Sequence, residues 1–253
     1  MDGLYHADAS LKGKLRRRVV RLQHRHPSPK GAERPMVSFS FDDAPATAFT
    51  IGAEILEARG VRGAYFVSAG LAGTDTGLGR CGVGEDMVRV AAKGHEIACH
   101  TFSHLDCGRA EASAVEADIV RNQEALAAWS LPRPQTFAYP YGDVAAPAKR
   151  IVGGRFLLSR GLHHGVLTRG SDLNQAASVG IEGEDGEALA AGWLDRARAQ
   201  SAWLILYTHG IEPEPTRYSA GAAGFVRLVD KALADGFEVV TVAEGARRLR
   251  GQT

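Results

Sequence analysis

Asp42 and Asp43 are adjacent carboxylates at the end of an alternating segment, Ser38-Phe-Ser-Phe-Asp-Asp-Ala-Pro. Neighbouring carboxylates repel as anions. A sensible arrangement neutralises one with a cation and leaves the other free to take protons. Turn and helix-cap duty ahead of a helix at Thr47 is the competing reading of this pair taken alone. Downstream, His100 and His104 in His-Thr-Phe-Ser-His have a spacing that brings both imidazoles to one side of a helical turn or tight loop, enough to ligate a single ion. Two histidines at this spacing also occur by chance. With one carboxylate, however, they make the ligand set of hydrolytic zinc sites that keep a position open for water.

Two further segments carry chemistry. Phe137-Ala-Tyr-Pro-Tyr-Gly is an aromatic loop stiffened by Pro140, in which Tyr141 can offer its backbone N–H to a developing oxyanion and its ring to a sugar face. A core-plus-turn reading fits the same residues. Leu204-Ile-Leu-Tyr-Thr-His ends at His209, a residue suited to general acid work near neutral pH, although a lone histidine at a strand end is usually structural. His163 and His164 are consecutive, and adjacent side chains rarely converge on one ion, so surface or supporting roles fit them better. Cys99 and Cys107 bracket the histidine pair and can in principle complete a closed structural zinc site; buried thiols are the alternative. Cys81 has no evident partner.

These residues need elements that hold them. Apolar runs at 37–41, 63–67, 96–99, 136–139, 155–158, 176–179, 203–207 and 238–242 read as strands. They alternate with helical periods at 47–59, 86–92, 112–129, 186–199 and 221–234. Gly60, Gly94 and Gly236 each follow a helical stretch, where a left-handed C-terminal residue is wanted. Seven or eight β-α units predict an α/β fold, a deformed (β/α)7-8 barrel in a single domain, with reacting groups at the C-terminal ends of its strands. The division expected is a basic N-terminal helix and linker at 1–34 and the main domain at 35–253.

Composition bounds the function. With 253 residues, 45% of them hydrophobic, the chain can bury a sizeable core. A formal charge of +1 argues against nucleic acid as the main partner. Three cysteines fit a reducing compartment better than a disulfide scaffold. The polar residues 1–10 carry no apolar h-region, and no apolar run approaches the length of a membrane span, so a cytoplasmic protein is expected. A homodimer is the default expectation for its oligomeric state. Local charge is less even: Lys12, Lys14, Arg16, Arg17, Arg18, Arg21 and Arg25 surround Leu15, Val19 and Leu22 at helical spacing. Two readings of this helix stay open, a solvated helix lying against the main domain and a peripheral dock on an anionic membrane. A breaker, His26-Pro-Ser-Pro-Lys-Gly, follows it.

The order Phe-Asp-Asp, His-x-x-x-His, Tyr-Pro-Tyr-Gly, then Thr-His near the C-terminus resembles the NodB-homology polysaccharide deacetylases, carbohydrate esterase family 4, over roughly residues 36–247. The resemblance implies a deformed (β/α) barrel, one divalent metal, commonly Zn2+, and hydrolysis of an N-acetyl group on an aminosugar polymer. By correspondence, Asp43, His100 and His104 are the metal ligands, Asp42 the base, His209 the general acid and the Tyr141 amide the oxyanion donor. The overall pattern is also similar to deacetylases of bacterial adhesin pathways, including holdfast polysaccharide modification. That points to an N-acetylated glycan met before export, lipid-linked or nascent. Two departures stand out. Where the family usually has arginine three residues before the motif's final tyrosine, this chain has Ala138, for which Arg160 or Arg169 is the expected substitute. The Asp–Trp element that supports the acid is not clear either; Asp172 is the candidate partner of His209, with Asp195 beside Trp193 weaker. The alternatives to a glycan deacetylase are an inactive carbohydrate-binding protein, motivated by the missing arginine, and a hydrolase of a different amide.

Overall fold

The computed structural model describes residues 11–252, so the polar segment 1–10 lies outside the described residues. In chain order the elements are α1 (Leu11–Leu22), β1 (Met36–Asp42), a π-helical turn Ala48–Gly52 leading into α2 (Ala53–Glu57), β2 (Ala64–Val67), α3 (Gly84–Ala92), β3 (Glu96–Cys99), α4 (Ala112–Ala128), β4 (Thr136–Ala138), α5 (Ala146–Gly153), β5 (Leu158–Arg160), β6 (Val179–Gly180), α6 (Gly186–Ala199), β7 (Trp203–Thr208), β8 (Gly210–Glu212), β9 (Ser219–Gly221), α7 (Ala222–Ala234), β10 (Glu238–Val239) and α8 (Val242–Arg250).

Parallel pairing runs β5-β4-β3-β2-β1-β7-β6, with β10 beside the start of β1. The sheet curls into an irregular barrel. Its last gap is bridged by a single segment: Ala176 bonds to Ser159 and Gly161 of the β5 side at 2.8 and 2.9 Å, and a few residues later β6 pairs with β7. Because every main strand is parallel, their C-terminal ends share one rim.

The period of two in β1 divides its side chains. Val37, Phe39 and Phe41 point outward into the core beneath the helices, where Phe39 and Phe41 both contact Phe225 of α7. Ser38, Ser40 and Asp42 point into the barrel. All seven residues are buried, so the inward polar groups need partners. The Ser38 hydroxyl donates to the Val240 carbonyl at 2.7 Å and accepts from Trp203 Nε1 at 3.0 Å, and the Ser40 hydroxyl donates to the Leu206 carbonyl at 2.9 Å.

Several expected boundaries shift for local reasons. Residues 155–157 extend the turn after α5 rather than a strand, and β5 begins only at Leu158. The strand expected at 238–242 stops at Val239 because Thr241 caps α8, its side chain accepting from Glu244 N. Helix α5, with proline in its first turn, and the short pair β8–β9 were not expected. Gly60, Gly94 and Gly236 are left-handed, at φ of 70°, 88° and 77°, as their positions after helices require.

The N-terminal segment is docked. Val20 is buried against Val115, Phe137 and Val152, Arg16 reaches the Gly108 carbonyl at 2.7 Å and Asp143 at 2.5 Å, and residues 26–28 bond along residues 170–173. Among the described residues no helix is long and apolar enough to cross a membrane.

Candidate active site at the barrel rim

Each chemistry-bearing residue stands at or just past a strand end. Asp42 closes β1, Arg160 closes β5, and Asp43, His100, Tyr141, Glu182 and His209 lie in the turns after β1, β3, β4, β6 and β7. Left-handed backbone bends the chain at five non-glycine residues of these turns: Asp43 (φ 53°), Ala44 (47°), Thr101 (61°), His104 (56°) and Tyr141 (60°). Such conformations cost about 1–2 kcal/mol per residue and persist where surrounding structure imposes them. At Asp43 the bend turns its carboxylate away from the line of Asp42. The two adjacent acids therefore enter different environments.

The Asp43 environment suits a cation. One ligand atom each from Asp43, His100 and His104 falls within 4.8 Å of the others. Asp43 Oδ1 is 3.8 Å from His100 Nε2 and 3.5 Å from His104 Nε2, and it is buried with no hydrogen-bond partner. His100 Nδ1 donates to the Ala138 carbonyl at 2.8 Å, which leaves the Nε2 lone pair facing Asp43. Burial is the main cause pushing both imidazoles down to about 4. They are thus neutral at physiological pH, the form that ligates. Burial likewise raises the Asp43 carboxyl, the nearby histidines offsetting part of that rise. A buried, unpartnered carboxylate oxygen facing two neutral imidazoles fits a divalent ion.

The histidine pair is held by a tight loop, not a helical turn. Thr101 Oγ1 accepts from Leu105 N at 2.8 Å, and Asp118 of α4 accepts from Phe102 N and Ser103 N at 2.8 and 3.0 Å. The thiols stand apart. Cys99 accepts a hydrogen bond from Asn122 at 3.3 Å, Cys107 turns to the Leu105 carbonyl, and all three cysteines are free and buried; the metal-competent cluster among the described residues contains none of them. The closed Cys–His site is therefore not formed.

Asp42 meets a different partner. Burial alone would raise its carboxyl, but the Arg160 guanidinium, with help from His100 and His209, holds it below the usual range. Arg160 is fully buried, donates to Asp42 Oδ1, and lies over the rings of Phe66 at 4.6 Å and Tyr207 at 5.0 Å. In the β4–β5 ladder Ala138 is the register partner of Arg160, and paired residues point to the same face. The guanidinium missing from position 138 thus enters at the same level from the neighbouring strand. Arg169 is exposed, beside Gly31 of the N-terminal linker.

His209 Nε2 lies 4.0 Å from Asp43 Oδ2, while its Nδ1 hydrogen-bonds Glu182, which also accepts from His209 N at 3.1 Å. Burial pulls this imidazole down, yet the Glu182 hydrogen bond and charge, followed by Asp42 and Asp43, outweigh it and push it up to about 9. Glu182 takes the place expected of Asp172. Asp172 instead binds Lys149 Nζ at 2.8 Å and His26 N at 2.9 Å, tying the N-terminal segment down. Asp195 is an exposed partner of Lys231, at 2.8 Å. Glu182 lies two residues beyond β6, and since the strand expected at 176–179 ends one residue short of that point, the strand-end rule that flagged Asp42 and His209 could have found it. Tyr141 is 39% exposed at the mouth, its ring edge-on to His104 at 4.4 Å, and Pro140 is buried beneath it. His163 lies apart from this cluster, in a cleft beside Arg21 and Arg25.

Residues 30–153 match the polysaccharide deacetylase family model. No curated protein matches the chain in sequence. Among solved structures the chain is similar to the chitin deacetylase of the fungal pathogen Colletotrichum lindemuthianum (17% identity, 90% of this chain and 92% of that one, TM-score 0.63). It is also similar to a family 4 acetyl xylan esterase of Clostridium thermocellum in complex with a cobalt ion (18%, 86% and 93%, 0.59) and to a mutant of the peptidoglycan deacetylase PdaC of Bacillus subtilis (18%, 87% and 94%, 0.54). At these identities the likeness is one of fold.

Asp118→Ala removes the acceptor that pins the histidine loop. Zinc affinity, read by competition with a chromophoric chelator, is expected to fall about 10–100-fold with the far-UV spectrum unchanged.

Proposed function

The chain belongs to the polysaccharide deacetylase family through residues 30–153, and on that premise we propose that its rim site hydrolyses N-acetyl groups on N-acetylglucosamine-type residues of a polysaccharide or its lipid-linked precursor. The observation that carries this reading is the geometry of one cluster. Asp43, His100 and His104 bring ligand atoms within 4.8 Å of one another, with Asp42 held by Arg160 and His209 held by Glu182 beside them.

Asp43, His100 and His104 would hold one divalent ion, Zn2+ by preference for this ligand set. Bound there, the ion would polarise the acetyl carbonyl and favour deprotonation of water. The protein's own groups move the protons. Asp42, kept ionised by Arg160, accepts the proton of the attacking water. The Tyr141 amide donates to the carbonyl oxygen as it gains negative charge. His209, kept protonated by Glu182, gives its proton to the nitrogen as the C–N bond breaks, so acetate and a free amine leave. The half-exposed Tyr141 ring offers a face to the sugar.

An inactive carbohydrate-binding protein was suggested by Ala138, and Arg160 at the same level removes that motive. A different amide is tested by including formyl and small-molecule amides beside the acetylated oligomer. The buried free thiols support a reducing compartment, and we take the reaction to occur in the cytoplasm, on a nascent exopolysaccharide before export.

Acetate release from an N-acetylglucosamine oligomer by metal-stripped protein is expected to be absent and to return with zinc. Asp42→Asn should lower kcat by about 10²–10⁴-fold while still binding zinc. Turnover by metal-free protein, or undiminished turnover by the variant, contradicts the reading. The pH dependence follows from His209. A pKa raised to about 9 keeps the acid protonated through neutrality, so kcat should fall only as pH rises toward that value. Glu182→Gln removes the charge that raises it. The alkaline limb should then move to lower pH by about a unit or more, measured as kcat against pH; an unmoved limb would show that His209 is not the acid or that Glu182 does not set it.

A further inference from the structure

Helix α1 breaks the rules by which surface helices are stabilised. From residue 11 to residue 32 the sequence contains Lys12, Lys14, Arg16, Arg17, Arg18, Arg21, Arg25 and Lys30 and no acidic residue. Cations in the first half oppose the helix dipole, and Arg17 and Arg18 stand four and three residues before Arg21, as like-charged neighbours. Partial burial, then Arg17 and Arg18, hold the Arg21 guanidinium below its usual range. Local electrostatics therefore works against this helix. Such a conflict between local and global preference is expected where function requires it.

The helix has two apolar aspects, and the fold uses one of them. Val20 is buried against the barrel, whereas Leu15, Val19 and Leu22, at i, i+4 and i+7, form a stripe exposed by 62%, 44% and 76%. Exposed Arg18, Arg21 and Arg25 flank it. The last turn also walls a cleft of about 340 Å³ lined by Arg21, Leu22, Arg25 and His163. A polyanion would engage the arginines and leave the leucines in water. A second copy across a two-fold axis would cover the leucines but oppose arginine to arginine. An anionic bilayer takes both, apolar stripe into the acyl boundary and cations among the headgroups.

The helix is also joined to the rim. Arg16 bridges the Gly108 carbonyl and Asp143, and these lie four residues past His104 and two past Tyr141. We propose that α1 docks on an anionic membrane surface through Leu15, Val19 and Leu22, and that the adjacent site thereby takes a membrane-bound, lipid-linked glycan. The second half rests on the deacetylase reading; the first does not.

Co-sedimentation of the full chain with phosphatidylcholine vesicles, with and without phosphatidylglycerol, tests the contact. Partition into the anionic vesicles should exceed that into neutral ones by about tenfold or more and fall with salt. The exposed triple variant Leu15→Ser/Val19→Ser/Leu22→Ser should lose about tenfold or more of it with an unchanged circular dichroism spectrum. It should still release acetate from a soluble oligomer at the wild-type rate, but lose the wild type's preference for a lipid-anchored oligomer embedded in the same anionic vesicles. Equal partition of wild type and variant, or no partition, overturns the membrane contact whatever the activity. A wild-type dimer that the triple substitution dissociates overturns it in favour of a second copy. Vesicle binding without any preference for the anchored oligomer overturns the substrate assignment alone.

Discussion

The site depends on one buried ion pair, Arg160 with Asp42. Both partners are withdrawn from water inside the barrel, and each alone would be a costly charge. Removing one from such a pair typically costs about 3–5 kcal/mol. Packing favours Arg160 over Lys, since the planar guanidinium spreads across Phe66 and Tyr207 while reaching the carboxylate. The pair also separates the duties of two consecutive acids. Asp42 is satisfied as an anion by protein alone, whereas Asp43, one residue later, keeps a buried oxygen without a partner. A divalent ion would be drawn to the second acid because the first already has its cation.

Around that pair the rim is built from bent turns. Of the left-handed residues, Asp43 and His104 belong to the cluster and Tyr141 packs edge-on against it, while Thr101 ties the histidine loop through Leu105 N; the barrel beneath supplies the rigidity that holds them there. Asp118 and the Ala138 carbonyl fix the histidine loop, and Glu182 fixes His209. These supporting groups come from α4, β4 and the turn after β6, elements distant in sequence from the residues they orient. The parallel sheet brings them to one level.

Much of this was legible in the sequence for a simple reason. Strand-end chemistry leaves local marks, an apolar or alternating run followed by polar residues, and Asp42, Asp43, His100, His104 and His209 all follow such runs. What failed needed registration between strands. Arg160 and Arg169 were indistinguishable as replacements for an arginine at 138, because only the Ala138–Arg160 register shows which shares its level. Asp172 was the expected partner of His209 and Glu182 was not singled out, because a lone acid just past the strand expected at 176–179 carries no mark of the histidine it faces. Helix α8 was masked by the apolar strand running into it, and the decisive signal was its Thr241 cap. Docking of the N-terminal helix against the main domain was one of its two readings, but its anchors were not readable, since Asp172 and Lys149 lie over a hundred residues away from the backbone they hold.

X-ray absorption at the zinc edge of the zinc-loaded protein tests the central claim most directly, that Asp43, His100 and His104 share one ion while Asp42 stays with Arg160. The account predicts one zinc per chain with two imidazoles and only nitrogen and oxygen neighbours near about 2.0–2.2 Å, lost in His100→Ala. A sulfur neighbour near about 2.3 Å, or an unchanged spectrum in that variant, would contradict it.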